Sequence, residues 1–327
     1  MKNKKKCIPF LYLTMLFIPS VSYSINIRNY KVFNGICVTA AKDTCVVLRS
    51  FTCNNKKFFL IVNPCDLETN VIERKKVVFV AVKWENLAKR FANTMYFKTL
   101  QNAGNNSNPY QNAGITHIKK EKSGINLTID LCPSHKLLDR NLFVKIYSEL
   151  GFEEKPVPLA ISVSGLWMLN HHDDLMWLLK LVKDKEIKVT WINHSYYHRT
   201  SKSLPLKNNF LLEKGTNINV EILKTEEEMI ENGITPSVFF RFPGLVSDNT
   251  VFNRVVSYGL IPVGSDAWLA KDQLPKDGSI VLLHANGNEP IGITKFFQLL
   301  KSERDSIMSK QWYLYDLRES IIDEEKR

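Results

Sequence analysis

Ile187-Lys188-Val189-Thr190-Trp191-Ile192-Asn193-His194-Ser195-Tyr196-Tyr197-His198 is the stretch on which the fold turns. Residues 187–193 are apolar and β-branched enough to read as a strand. Where the strand runs out, two histidines follow four residues apart. On one helical turn that spacing puts both imidazoles on the same face, within reach of one cation. A histidine pair alone is more often structural than metal-binding, so the setting decides. Residues 125–132, 157–163, 238–242, 260–263, 280–283 and 312–317 read as further strands. Residues 139–150, 173–182, 225–232, 251–258 and 293–308 read as helices between them. Strands and helices in alternation predict a parallel α/β barrel or a doubly wound sheet, and in either fold the chemistry gathers at the C-terminal ends of the strands.

Reactive side chains recur at those ends. The first strand closes in Thr128-Ile129-Asp130-Leu131-Cys132-Pro133-Ser134 and a later one in Phe240-Arg241-Phe242-Pro243-Gly244. A short strand leads into Gly264-Ser265-Asp266-Ala267-Trp268, and another ends in Leu283-His284-Ala285-Asn286-Gly287-Asn288-Glu289. Trp167 and Trp268 are aromatic faces able to stack on a sugar ring or to fill the core. His171 and His172 read as a solvated pair at a helix entrance, and Glu226-Glu227-Glu228 as a solvated helix face. Cys132 as a nucleophile beside His284 would suggest a thiol hydrolase, but no third group is implied to orient it.

In this order the segments resemble the polysaccharide deacetylases of the NodB-homology type, a family of carbohydrate esterases. Thr128–Pro133 stands where that family has Thr-Phe-Asp-Asp-Gly-Pro. His194, Ser195 and His198 match its His-Ser/Thr-x-x-His, and Arg241 and Pro243 its Arg-x-Pro. Asp266 and Trp268 loosely match its Asp-Trp segment, and Leu282 and His284 its Leu-x-His. The resemblance covers about residues 118–320. It implies a distorted (β/α) barrel and metal-assisted removal of acetyl groups from a glycan. A divalent metal, zinc first among the choices, would sit on His194 and His198, activate water and polarise the acetyl carbonyl. Asp130 would take the water's proton and His284 would protonate the leaving group. Arg241 would tune Asp130, Asp266 would tune His284, and Trp268, Trp167 and Pro243 would line the substrate. One departure stands out: the family's third ligand, the second Asp of its first motif, is Leu131 here. Asp130 could take over that role. Cys132 could supply a thiolate, although as the next residue on a strand it is expected to point to the other face. Or the site could be metal-free and the protein a glycan-binding barrel without activity.

The rest of the 327-residue chain frames this reading. Lys2, Lys4, Lys5 and Lys6 precede a short apolar run and then Ser22 and Ser24, the pattern of a secretory signal over residues 1–24. The protein is therefore expected outside the cytoplasm, periplasmic or extracellular, with no transmembrane span once the signal is removed. The formal net charge is +11, yet residues 25–100 hold 13 Lys and Arg against 5 Asp and Glu. That region reads as a small β-rich sandwich or barrel-like module, basic enough to meet an anionic envelope polymer. Nothing in the sequence carries a nucleic-acid motif. Cys37, Cys45, Cys53 and Cys65 lie within it, an even group that in an exported chain predicts two disulfides, with Cys132 free. Residues 101–117 are rich in Asn and Gly and read as a linker, and residues 321–327 as a charged tail. The substrate expected from these features is an acetylated polysaccharide, peptidoglycan foremost.

Overall fold

In the computed structural model, which describes residues 26–151 and 155–326, the chain begins with an antiparallel sheet. Its strands are β1 (Ile27–Val38), β2 (Thr44–Cys53), β3 (Lys56–Val62), β4 (Thr69–Glu73) and β5 (Val78–Ala81), in the order β4-β3-β2-β1-β5. Asn54 and Asn55, both with positive φ (49° and 62°), make the two-residue turn between β2 and β3. This is the conformation that a tight hairpin demands and that Asn tolerates. The expected signal segment, residues 1–24, lies outside the described residues. Among those residues no helix is long and apolar enough to cross a membrane.

The expected sandwich is instead a single sheet. Phe33, Phe59 and Phe79 pack with Cys37 and Cys45 in one small cluster. Ile36, Val46, Leu48 and Val62 instead join a core shared with the rest of the chain. Helices α1 (Trp84–Arg90) and α2 (Met95–Gly104) add Leu87, Tyr96 and Leu100 to that core. Among the described residues the sheet has no second β layer, and the remainder of the protein packs against it instead.

That remainder is a curled parallel sheet wrapped in helices. Its elements run β6 (Ser123–Leu131), α3 (Arg140–Leu150), β7 (Val157–Val163), α4 (Gly165–Asn170), α5 (His172–Lys183), β8 (Ile187–Asn193), α6 (Ile218–Glu231), β9 (Phe239–Phe240) and α7 (Asn249–Ser257). They continue through β10 (Ile261–Pro262), β11 (Ala267–Trp268), β12 (Ile280–His284), α8 (Pro290–Ser302), α9 (Arg304–Met308), β13 (Trp312–Leu314) and α10 (Leu317–Glu325). The strand order is β10-β9-β8-β7-β6-β12-β11, with β13 alongside the start of β6, and every pairing is parallel. Alternation along β6 sends Ile125, Leu127, Ile129 and Leu131 outward into the core under the helices. Thr128 and Asp130, also buried, take the opposite side. The side chain of Asp139 caps α3 by accepting from the Leu142 amide, and Gly151 ends it.

Three expectations change here. Residues 101–117 are no loose linker, since α2 runs to Gly104 and the rest is stitched to the barrel. The Asn106 amide donates to the carbonyls of Asn112 and Gly114, and Ile115 bridges to Val263. Gly114 is required there: at φ 96°, its added Cβ would lie 2.3 Å from the Pro262 carbonyl oxygen. Residues 321–325, expected in a tail, belong to α10.

The third change concerns cysteine. Cys37 and Cys45 face each other in register across β1 and β2. Cys53 lies at the far end of β2, about 27 Å along the strand from Cys45 at the usual rise per residue. Cys65 follows the opposite end of β3. A disulfide needs Cα atoms within roughly 7 Å, so Cys53 can bridge to none of the other three, and two disulfides among the four are ruled out. Among the described residues no disulfide joins them.

The two halves are locked by a buried ion pair. Arg49 on β2 donates through Nε and Nη2 to the two carboxylate oxygens of Glu226 on α6, at 2.7 and 2.9 Å, and through Nη1 to the Tyr258 carbonyl at 2.7 Å. Tyr30 donates to the same carboxylate at 3.0 Å, and the Tyr96 hydroxyl donates to the Gly259 carbonyl. Both ions are fully shielded from water. Burial opposes the charge on Arg49, but Glu226 outweighs it and raises its pKa. Glu226 is therefore an interior anchor and not part of a solvated face. Removing one member strands the other charge in the interior, a loss of about 3–5 kcal/mol. Arg49→Ala is accordingly expected to lower unfolding stability by that amount in urea titrations. The β-sheet and barrel signals should still fall in one transition. A loss under about 1 kcal/mol would show the pair to be ornamental.

Candidate metal centre and catalytic site

The turn after β8 is built by its neighbours. Ser195 and His198 both adopt positive φ, 67° and 47°, so the two histidines do not share a helical turn as their spacing suggested. Their rings nevertheless converge, with centroids 4.7 Å apart. Strained backbone of this kind persists only where its surroundings over-determine it, and here they do. The Ser195 amide donates to Asn193 Oδ1, and the Tyr196 and Tyr197 amides both donate to Glu221 Oε2 at 2.9 Å. From the other side, the first amides of α4 donate to the carbonyls of Ser195 and Tyr196. Gly165 must be glycine at that junction, because a Cβ would come 2.0 Å from the Tyr196 ring.

His194 is oriented by its own hydrogen bond. Its Nδ1 lies 2.9 Å from the Arg241 carbonyl oxygen, so Nδ1 carries the proton and Nε2 keeps a free lone pair. That Nε2 points to Cys132 Sγ at 3.5 Å and to Asp130 Oδ2 at 3.7 Å. His198 Nε2 is buried with no partner. One ligand atom each from Cys132, His194 and His198 lies within 4.8 Å of the other two, and all three residues are buried. Two imidazole nitrogens and a sulfur within 4.8 Å of one another, with a buried polar atom left orphaned, fit a divalent cation of the zinc class.

Asp130 and His284 flank this cluster. They are register partners on β6 and β12, neighbouring strands that lie about 4.8 Å apart. Arg241 is wholly buried beneath them, donating to Thr128 Oγ1 at 2.9 Å and standing 3.7 Å from Asp130 Oδ1. His284 Nδ1 lies 2.8 Å from Glu289 Oε2, an ion pair whose N–H does not aim straight at the oxygen. Trp268 Nε1 donates to the same oxygen at 2.6 Å.

The electrostatics follow from this crowding. Burial would raise the Cys132 thiol, but the imidazoles of His198, His284 and His194 outweigh it and hold the group well below the usual thiol range. Burial likewise opposes charge on His284. The Cys132 thiolate and then the Glu289 carboxylate outweigh it and lift His284 to about 10. Glu289 is lowered in turn, because the paired His284 more than offsets its own partial burial.

Several expected residues sit elsewhere. Asp266 is not behind His284. It accepts from Ser279 and the Ile280 amide and contacts His117 Nδ1 at 2.8 Å, at the start of β12 instead of its end. Glu289 holds the place expected for it. Trp167 is fully buried and stacks on His171, so it offers no face to a sugar, and Pro243 is also buried. Trp268 is only partly exposed, with the Lys271 ammonium 3.4 Å from its ring centre. His171 is not solvated: its Nε2 lies 2.7 Å from the Ser134 carbonyl oxygen. Glu221 was not singled out, and Glu289, though quoted at its strand end, was given no role, because a single acidic residue on a helix or loop carries no spacing signal. Leu131, as expected, points into the outer core. Cys132 reverses the expectation: the alternation that turns Leu131 outward brings residue 132 to the Asp130 side.

Solved structures similar to this chain include a family 4 carbohydrate esterase from Bacillus anthracis, 19% identical over 69% of this chain and 91% of that one, with a TM-score of 0.46. The likeness is to carbohydrate esterases. The peptidoglycan deacetylase PdaC of Bacillus subtilis is 16% identical over 64% of this chain and 94% of its own, TM-score 0.43. A family 4 pseudoenzyme from Bacillus anthracis is 15% identical over 62% and 66%, TM-score 0.42. Residues 28–97 match a family model described as the RP012 protein N-terminal domain.

Replacing the Glu289 carboxylate by an amide removes a negative charge from His284, so Glu289→Gln is expected to lower the His284 pKa. Histidine-selective NMR titration reads this directly, and an unchanged midpoint would show that Glu289 is not its partner.

Proposed function

We propose that the protein is an exported, metal-dependent hydrolase that removes acetyl groups from an acetylated polysaccharide, with peptidoglycan or a related envelope glycan as substrate. The observation carrying this reading is the pairing of Asp130 with His284 across adjacent strand ends, beside the clustered imidazoles of His194 and His198. A carboxylate and a protonated imidazole on either side of one cation are the acid–base split that hydrolysis of an acetyl amide or ester needs. A bound divalent cation would supply Lewis acidity to the acetyl carbonyl and lower the pKa of water. Asp130, with Oδ1 buried and without a hydrogen bond, takes the proton from the attacking water. Arg241 beneath it stands 3.7 Å from Oδ1 and faces the carboxylate with a buried positive charge. The bond between the acetyl carbon and the sugar nitrogen or oxygen breaks as His284 delivers its proton to that atom, and acetate leaves. Trp268 and Glu289 hold the His284 ring for this transfer. The basic residues 25–100 would keep the enzyme near an anionic envelope polymer.

A glycan-binding protein without activity is the second reading, favoured by Leu131 at the position of a ligand. Acetate release from a panel of N- and O-acetylated glycans, with and without added zinc, separates the two. Release is expected, falling by about 10²–10⁴-fold in Asp130→Asn and in His284→Ala. Glycan binding with no acetate released would establish the second reading instead.

A further inference from the structure

The site has two imidazoles in place and a leucine where a third ligand is expected, and the geometry points to Cys132 as that third ligand. We propose that its thiolate completes a Cys-His-His centre specific for zinc-class cations, which rests on the reading of this site as a metal centre. The distances carry the inference. A tetrahedral zinc with Zn–S of about 2.3 Å and Zn–N of about 2.05 Å places sulfur and nitrogen about 3.6 Å apart. Cys132 Sγ and His194 Nε2 are 3.5 Å apart. The same cation needs its two nitrogens about 3.3 Å apart, and all three ligand atoms lie within 4.8 Å of one another. His198 Nε2 is buried without a hydrogen-bond partner and would serve as the second nitrogen.

The substitution of ligand is a shift of one residue, not a loss. Leu131 continues the outward row of β6, and the chain leaves the strand at the next residue with its side chain on the inner side. The inner carboxylate, Asp130, falls outside the three-atom group and remains available as a base. Three protein ligands would leave a fourth position for water or substrate, as catalytic zinc sites do. The chemical class follows from the donor set: a thiolate with two imidazoles selects zinc or cobalt over magnesium and calcium, which prefer oxygen.

The test uses the full chain with zinc or cobalt alone. Cobalt loading should give a thiolate-to-cobalt charge-transfer absorption in the near ultraviolet, absent in Cys132→Ser and unaffected by excess magnesium. Cys37, Cys45, Cys53 and Cys65 remain in that variant, so the lost band reports on Cys132. Zinc affinity in Cys132→Ser should drop more than about 100-fold, since loss of a partner behind a ligand already costs 10–100-fold. Should the variant fail to fold, cobalt loading of a chain in which Cys7, Cys37, Cys45, Cys53 and Cys65 are replaced by Ala decides, because Cys132 is then the one thiol able to give the band. A wild type that binds cobalt without that band, or binds no cation, would overturn the proposal, as would wild-type zinc affinity in folded Cys132→Ser. Acetate release distinguishes the two readings. A thiolate-bound zinc with no release leaves this proposal standing and removes the hydrolase. Release that survives in Cys132→Ser with unchanged zinc content does the reverse.

Discussion

A guanidinium buried at the centre of the half-barrel holds the site together. Arg241 reaches Thr128 and faces Asp130, both on β6, while its carbonyl takes the proton of His194 at the end of β8. One residue thus faces the carboxylate and sets the tautomer of the imidazole. Burial pulls the guanidinium below the usual arginine range in spite of Asp130 and Cys132. A cation so poorly hydrated persists only because its neighbours are anions and acceptors. The observed order of β6, β8 and β9 brings Thr128 and Asp130 to the Arg241 side chain and the His194 ring to its carbonyl.

The same logic joins the amino-terminal sheet to the barrel. Arg49 reaches across to Glu226 on α6, and α6 also supplies Glu221, whose carboxylate gathers the amides of the strained turn carrying His198. A single helix is therefore anchored from below by the sheet and supports the site above. Sheet and site are coupled through packing, and residues 26–100 are part of the structure that positions the histidines.

Much of this was legible in the sequence because it follows simple periods. Val157–Val163 and Ile187–Asn193 read as strands from their apolar runs, and their ends marked the reactive residues. What escaped has physical reasons. Cys132 was set back by counting its face from Leu131 when Asp130 is the residue that defines the inner side. Asp266 lies next to a short strand whose register, Ala267 against Val281, places it by the beginning of β12, far from His284. Glu289 follows β12 in the loop before α8, where no spacing rule applies. The Arg49–Glu226 pair spans 177 residues of sequence, and no local pattern distinguishes a buried ion from a solvated one. The expected disulfides failed on strand length: cysteines at opposite ends of a sheet cannot meet.

Cys132, His194 and His198 meet at the strand ends of this barrel, where we propose a thiolate-containing metal centre. X-ray absorption at the zinc edge of the zinc-loaded full chain tests it most directly. The account predicts one zinc per chain with one sulfur at about 2.3 Å and a shell of nitrogen and oxygen at about 2.0–2.1 Å. A first shell of nitrogen and oxygen alone would contradict it.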